Sequence, residues 1–282
     1  MPSQSIKHAV LPSGELVPQL GQGTWQMAER RDRRGDEIAA LRAGIDLGLT
    51  LIDTAEMYGE GAAEDLVAEA IAGRRDEVFL VSKVYPHNAS SEGVIAACER
   101  SLKRLQTDRI DLYLLHWMGR HPLAETVAGF QALKHAGKIR HWGVSNLDTG
   151  DMRSLWNVPG GRDVATNQVL YNLKRRAADW DLLPWQRERS IPLMAYSPVE
   201  QARLISNTKL VRFARDHDAT PAQVALAWLL ANDDVIVIPK AGSVAHVQEN
   251  AKARELRLSA AQLRELDALF PAPRSRRSLE ML

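Results

Sequence analysis

Apolar residues along the chain gather into short unbroken runs: LTLID, VFLVSK, DLYLLHW, KIRHWGVSN, VATNQVL, IPLMAYSP and VIVIPK. They are rich in Val, Ile and Leu and do not alternate with polar residues, which predicts strands covered on both faces. The segments between them repeat apolar positions with a helical period. In DEIAALRAGIDLG, Ile38, Leu41, Ile45 and Leu47 fall on one broad face before Gly48 ends the helix. AEDLVAEAIAG, SEGVIAACERSLKRL, AETVAGFQALKHAG, TPAQVALAWLLAN, SVAHVQENAKA and LSAAQLRELDALF behave alike. Strand and helix take turns, the order of a parallel sheet that is either open and doubly wound or closed into a barrel.

The residues at the strand exits help separate the two. They are Thr24, Asp53, Lys83, His116, Ser145, Gln168, Tyr196 and Lys240, and the first seven lie roughly 30 residues apart, the size of a βαβ unit. In a closed barrel every exit faces one mouth, so a polar side chain at each favours the (β/α)8 TIM barrel. The longer gap between Tyr196 and Lys240 leaves room for an extra loop or helix. Near the start, AVLPSGELVPQ reads as a β-hairpin around Pro-Ser-Gly, placed to cap the closed bottom of the barrel. No linker or composition shift divides the chain, so residues 1–282 are expected to form one domain.

Composition narrows the partners. A chain 45% apolar and 25% charged can bury a large core, and a net charge of +1 with interspersed signs offers no basic face for nucleic acid. The N-terminal segment has no leader pattern and no run is long enough to span a bilayer, so a cytoplasmic protein without membrane association is expected. Cys98, the sole cysteine, cannot pair internally, which fits a reducing compartment and a packing role. No metal is expected, and the anticipated assembly is a monomer or weak dimer.

The strand exits also carry chemistry. Asp53, Lys83 and His116 end consecutive strands, and Tyr58 follows Asp53 on the adjoining loop. A phenol titrating near pH ~10 becomes a useful acid only where a cation stabilises its phenolate, and Lys83 can be that cation. Buried lysine needs an anion to stay charged, which suits Asp53; His116 could then hold a carbonyl oxygen for Tyr58 to protonate. Taken singly, each residue has a plainer reading: Asp53 and Lys83 as a structural ion pair, Tyr58 as a packed aromatic, His116 as a core histidine. Glu56, two residues before Tyr58, falls outside this set.

The blocks IDTAEMYG, FLVSK, DLYLLHW, WGVSN, NQVLY, AYSP and IPK occur in the order seen in the aldo-keto reductases, and the chain resembles that family from Gly21 to the helix after Leu258. LLHW, GKIRHWGVSNLD and ATNQVLYN are most similar to its bacterial methylglyoxal-reductase-like branch. The resemblance implies a (β/α)8 barrel that binds NADP(H) without a Gly-rich Rossmann loop and reduces small aldehydes and ketones. Asp53, Tyr58, Lys83 and His116 match the family's catalytic tetrad, with Tyr58 as proton donor. Ser145, Asn146 and Gln168 match carboxamide-binding positions, Tyr196 matches the ring stacked on nicotinamide, and Thr24, Ser197 and Pro198 match further cofactor positions, followed by Val199 where the family often has Leu. Lys240, Ser243, His246, Glu249 and Asn250 match the adenosine-phosphate site, although many members carry arginine where His246 stands. Trp25, Tyr85 and Trp117 match aromatic positions of the substrate pocket.

Further expectations follow from short rim segments. The loop WMGRHP after His116 and the few residues beyond Phe270 imply an open pocket, and PRSRRS reads as a solvated tail. Two other functions stay open: a regulatory module that binds nicotinamide nucleotide with little turnover, and an aldolase using Lys83 as a Schiff-base nucleophile.

Overall fold

The structure is a computed structural model that describes residues 6–282. An antiparallel hairpin, β1 (His8–Val10) and β2 (Leu16–Pro18), comes first. Eight parallel strands follow: β3 (Gln22–Gly23), β4 (Leu51–Asp53), β5 (Phe79–Val84), β6 (Ile110–Leu115), β7 (Ile139–Ser145), β8 (Asn167–Leu170), β9 (Leu193–Tyr196) and β10 (Val235–Val237). Each pairs with its neighbours in chain order, and bridges Leu20 to Val237 and Gly23 to Lys240 bring the first strand to the last. This is the barrel the strand exits predict.

The helices between the strands are α1 (Arg34–Asp46), α2 (Ala62–Ile71), α3 (Ser91–Leu105), α4 (Leu123–His135), α5 (Thr149–Trp156), α6 (Leu182–Arg187), α7 (Thr208–Asp216) and α8 (Pro221–Leu230), and α9 (Val244–Lys252) and α10 (Ala260–Leu269) follow the last strand. Their starts follow local chemistry. Thr220 and Gln223 form a capping box on α8, Ser259 and Gln262 one on α10, and Asp148 and Asp151 one on α5. Helix α7 fills the long gap before Lys240. Gly48, at φ +82°, supplies the left-handed turn that ends the first helix. One expectation fails there: Leu47 is 38% exposed rather than part of the buried face, because it caps α1 where the chain is already turning away.

Period-two alternation sorts each strand's side chains between two cores. Leu51, Phe79, Val81, Leu112, Leu114, Met194, Ile236 and Ile238 point inward and form the barrel interior. Ile52, Leu80, Tyr113, Val144, Val169 and Val237 point outward and pack under the helices. Ala9, Leu11 and Val17 of the hairpin join the interior cluster, closing the end where the strands begin. Continuing the inward parity upward gives Asp53 after Leu51, Lys83 after Val81, His116 after Leu114 and Tyr196 after Met194, so the polar residues crown an apolar plug. No helix among the described residues is long and apolar enough to cross a membrane.

Candidate active site

At the strand exits the barrel interior changes from apolar to ionic within one layer. Lys83 is fully buried and Asp53 is 2% exposed. The Lys83 ammonium donates to Asp53 Oδ2 at 2.8 Å, to the Thr54 carbonyl at 2.8 Å and to the Tyr58 hydroxyl oxygen at 3.0 Å. All three of its protons are therefore used. Because the Tyr58 oxygen accepts from Lys83, its own O–H is left to donate toward the mouth. Burial lowers the affinity of Lys83 for its proton, and the Asp53 charge and hydrogen bond oppose that.

Tyr58 is placed by an abrupt turn. Gly59, Glu60 and Gly61 all adopt positive φ, which reverses the chain immediately after the phenol and starts α2. Its ring packs edge-on to Trp25 at 5.0 Å and to His116 at 5.7 Å. Burial pushes the phenol well above its ordinary range and the Asp53 charge adds to this, so the expected easing of its proton by Lys83 is outweighed and the group stays protonated at rest. Burial, with the Lys83 charge beside it, holds His116 well below its usual value, so the imidazole is neutral near pH 7. His116 Nδ1 has no hydrogen-bond partner among the described residues.

Two residues expected at strand ends lie within their strands. Lys83 precedes the last residue of β5 and Gln168 is the second residue of β8. The depth of Gln168 has a consequence that its sequence neighbours do not reveal: Gln168 Nε2 donates to Asp53 Oδ1 at 2.7 Å, and it also reaches Met194 Sδ at 2.8 Å. Both Asp53 oxygens are thus occupied, one by Lys83 and one by Gln168. Thr24 Oγ1 donates to the Asp53 carbonyl at 2.9 Å, fixing the same residue through its backbone.

Beside this set, Asn146 adopts φ +61°, a conformation asparagine tolerates, and turns its amide into the rim. It donates to the His116 carbonyl and to Ser145 Oγ, each at 3.1 Å, and accepts from the Tyr196 hydroxyl at 3.0 Å. Ser145 Oγ donates to the Gln168 carbonyl at 2.8 Å. Ser145, Asn146, Gln168 and Tyr196 are therefore one network, joined to the exit of β6 through the His116 carbonyl. The loop after β9 leaves through a left-handed Ser197, whose carbonyl accepts from Asn172; Pro198 is buried and Val199 packs on the core.

A second group lies at the start of α9. Ser243 caps the helix by accepting from the His246 N–H, Lys240 and His246 are exposed, and Asn250 is buried. A Cβ on Gly242 would sit 3.3 Å from Lys240 Nζ, so the glycine leaves the ammonium room to fold over the turn. Arg33 Nη2 donates to the Gly242 carbonyl at 3.2 Å, bringing a guanidinium that the sequence pattern did not single out. Two cations and a helix N-terminus suit a phosphate. A ring beside an amide network suits a flat carboxamide-bearing base.

The aromatic rim runs outward from His116. Trp117 lies 4.8 Å from it, Tyr85 5.9 Å from Trp117, and His87 4.7 Å from Tyr85. The tail is exposed but makes polar contacts with the barrel. Arg276 pairs with Asp148 at 3.4 Å and Asp181 at 3.1 Å, Glu280 pairs with Arg175 at 2.5 Å, and Leu279 packs on the core. Arg276 of the exposed PRSRRS segment is thus tied to the segments that follow β7 and β8. Acidic side chains far away in sequence decide this, and no local pattern marks them.

The aldo/keto reductase family model matches residues 19–270. The chain is 53% identical over 276 residues to methylglyoxal reductase YeaE of Escherichia coli (strain K12), covering 96% of this chain and 97% of that one. Two crystal structures of aldo/keto reductases from Klebsiella pneumoniae, one with NADP and acetate and one with NADPH, have TM-scores of 0.95 and 0.96. Both are 49% identical and cover 99% of this chain and 100% of theirs.

Proposed function

The chain belongs to the aldo/keto reductase family, and from that premise we propose that it reduces small aldehydes and ketones, methylglyoxal among them, to alcohols with NADPH. The observation that carries the reading is the Lys83 ammonium held between Asp53 and the Tyr58 phenol. Tyr58 gives its proton to the carbonyl oxygen, and the phenolate left behind faces a cation already in place. His116, neutral, orients that oxygen, while Trp25, Tyr85 and Trp117 wall the substrate. Asp53, locked by Gln168, keeps Lys83 charged, which argues against Lys83 attacking a carbonyl as a free amine.

NADPH, when bound, supplies the hydride that reaches the carbonyl carbon. Tyr196, Asn146, Ser145 and Gln168 would hold its nicotinamide end, with Thr24, Ser197, Pro198 and Val199 along the way. Lys240, Ser243, His246, Glu249 and Asn250 would hold the adenosine phosphate. The setting we infer is a single-domain cytoplasmic protein, monomeric or weakly dimeric. A buried Cys98 whose thiol burial pushes up to about 12 is consistent with it.

Tyr58→Phe tests the assignment. NADPH consumption with methylglyoxal should fall by about 100-fold or more, while NADPH binding read by fluorescence quenching stays unchanged. Tight NADPH binding by the native protein with negligible turnover over a panel of aldehydes would instead favour a regulatory module.

A further inference from the structure

Glu56 is the one carboxylate of the Asp53 to Tyr58 segment that the proposed chemistry leaves unused, yet it is only 7% exposed. A buried acid is costly unless donors converge on it, and here they do. Its Oε1 accepts from the Tyr85 N–H at 2.8 Å and from Asn88 Nδ2 at 3.1 Å, and its Oε2 faces Arg100 Nη2 at 3.6 Å. The Glu56 N–H in turn donates to the Lys83 carbonyl at 3.4 Å. One side chain thus ties the loop that carries Tyr58 to the turn at the end of β5.

That turn is gripped from its other side as well. A Cβ on Gly119 would lie 2.7 Å from Pro86 Cβ and 2.9 Å from the Pro86 carbonyl oxygen, so the loop after β6 rests against Pro86 with no space to spare. The Tyr85 ring meets Trp117 and His87 from this clamped position. Its backbone is fixed by packing at Pro86 and by polar contact at Glu56.

We propose that Glu56 is a positioning residue: by holding the Tyr85–Asn88 turn from the loop of the proton donor, it sets the aromatic wall against Tyr58 and tightens binding of the carbonyl substrate. The inference rests on the reading of Tyr85 as part of the substrate wall. Glu56 acts through the place of the Tyr85 ring and has no contact with the reacting atoms.

The test is a double-mutant cycle read in steady-state kinetics. Glu56→Leu should raise the methylglyoxal KM about tenfold with kcat nearly unchanged, as expected for a lost charge-assisted acceptor that serves binding alone. Glu56→Gln, which keeps the Oε1 acceptor, should restore the KM. Glu56→Asp keeps the charge but withdraws the oxygen, so it should resemble the leucine variant and replaces it if that variant does not fold. In a Tyr85→Ala background, Glu56→Leu should add less than about twofold. An equal KM effect in both backgrounds, a fall in kcat matching the rise in KM, or no rescue by glutamine would overturn the proposal. If Tyr85→Ala alone leaves KM unchanged, the wall reading fails and the positioning role falls with it. If Tyr85→Ala raises KM and the Glu56 variants do not, only the positioning role fails.

Discussion

Replacing Asp53 with asparagine exchanges one carboxylate oxygen for an NH2 group and tests the whole ionic layer. The carboxylate accepts from Lys83 on one oxygen and from Gln168 on the other. Asparagine has one acceptor oxygen, so whichever way it turns, a donor is left facing its NH2. Lys83, with no exposed surface, also loses its anion. Breaking a buried pair from one side costs about 3–5 kcal/mol, which corresponds to a fall in Tm of roughly 10 °C. Lys83 can escape part of this by shedding its proton, since burial already pulls its pKa down and Asp53 no longer opposes that. The folded variant then binds fewer protons at this site than the unfolded chain, so its stability should climb with pH toward the ordinary lysine value near ~10.4. Urea unfolding of Asp53→Asn and native protein, at neutral and at alkaline pH, measures both quantities, and the reductase assay should show loss of turnover. A destabilisation below about 1 kcal/mol with no extra gain at alkaline pH would refute the claim that Asp53 is what keeps Lys83 charged.

Two other outcomes follow from buried groups. His116 has a folded pKa far below its unfolded one, so its neutral form contributes stability that is complete above pH ~6.5 and is lost as pH falls further; urea unfolding between pH 5 and 8 should show native protein losing stability faster on acidification than His116→Asn, and equal slopes would contradict it. In α1, a Cβ on Gly44 would overlap the Gln22 amide, which donates to the Leu41 and Leu49 carbonyls, whereas one on Gly35 meets nothing within 4 Å. Gly44→Ala should therefore cost about 1–3 kcal/mol and Gly35→Ala should stabilise by about 0.4–1 kcal/mol in the same unfolding assay.

What could be read from the sequence depended on whether a residue's role is settled by its own neighbours. The barrel was legible because strands buried on both faces give unbroken apolar runs, and helix ends announce themselves at Gly48, Thr220 and Ser259. Asp53, Lys83 and His116 were legible because each stands at or near a strand end, where parity points it into the mouth, and Tyr58 because it follows Asp53 on the adjoining loop. Short helices α5 and α6 were missed, since six to eight residues barely complete an apolar face. Contacts between distant residues left no trace in the sequence. The Gln168 bond to Asp53, the Arg33 bond to Gly242 and the Arg276 docking on Asp148 and Asp181 each join segments that only the closed barrel brings together. Glu56 was visible but its partners, Tyr85 and Asn88, lie one βαβ unit further on.

The place where the first barrel strand meets the last is held differently from the rest of the wall. Elsewhere strands run side by side in ladders; here the amides of Gly21, Gly23 and Val237 carry the junction through bonds to the carbonyls of Val237, Pro239 and Gln19. Lys7 and Gln19 staple it from below, to Asp233 and to the carbonyls of Leu230 and Asn232. A closure between segments this far apart costs the most chain entropy, so these amides are where hydrogen exchange should first open the native wall. Thr24 and Lys240 stand directly above, on opposite sides of the seam. A dinucleotide gripped by both would act as a fastener, drawing the barrel shut from the same end at which it is used.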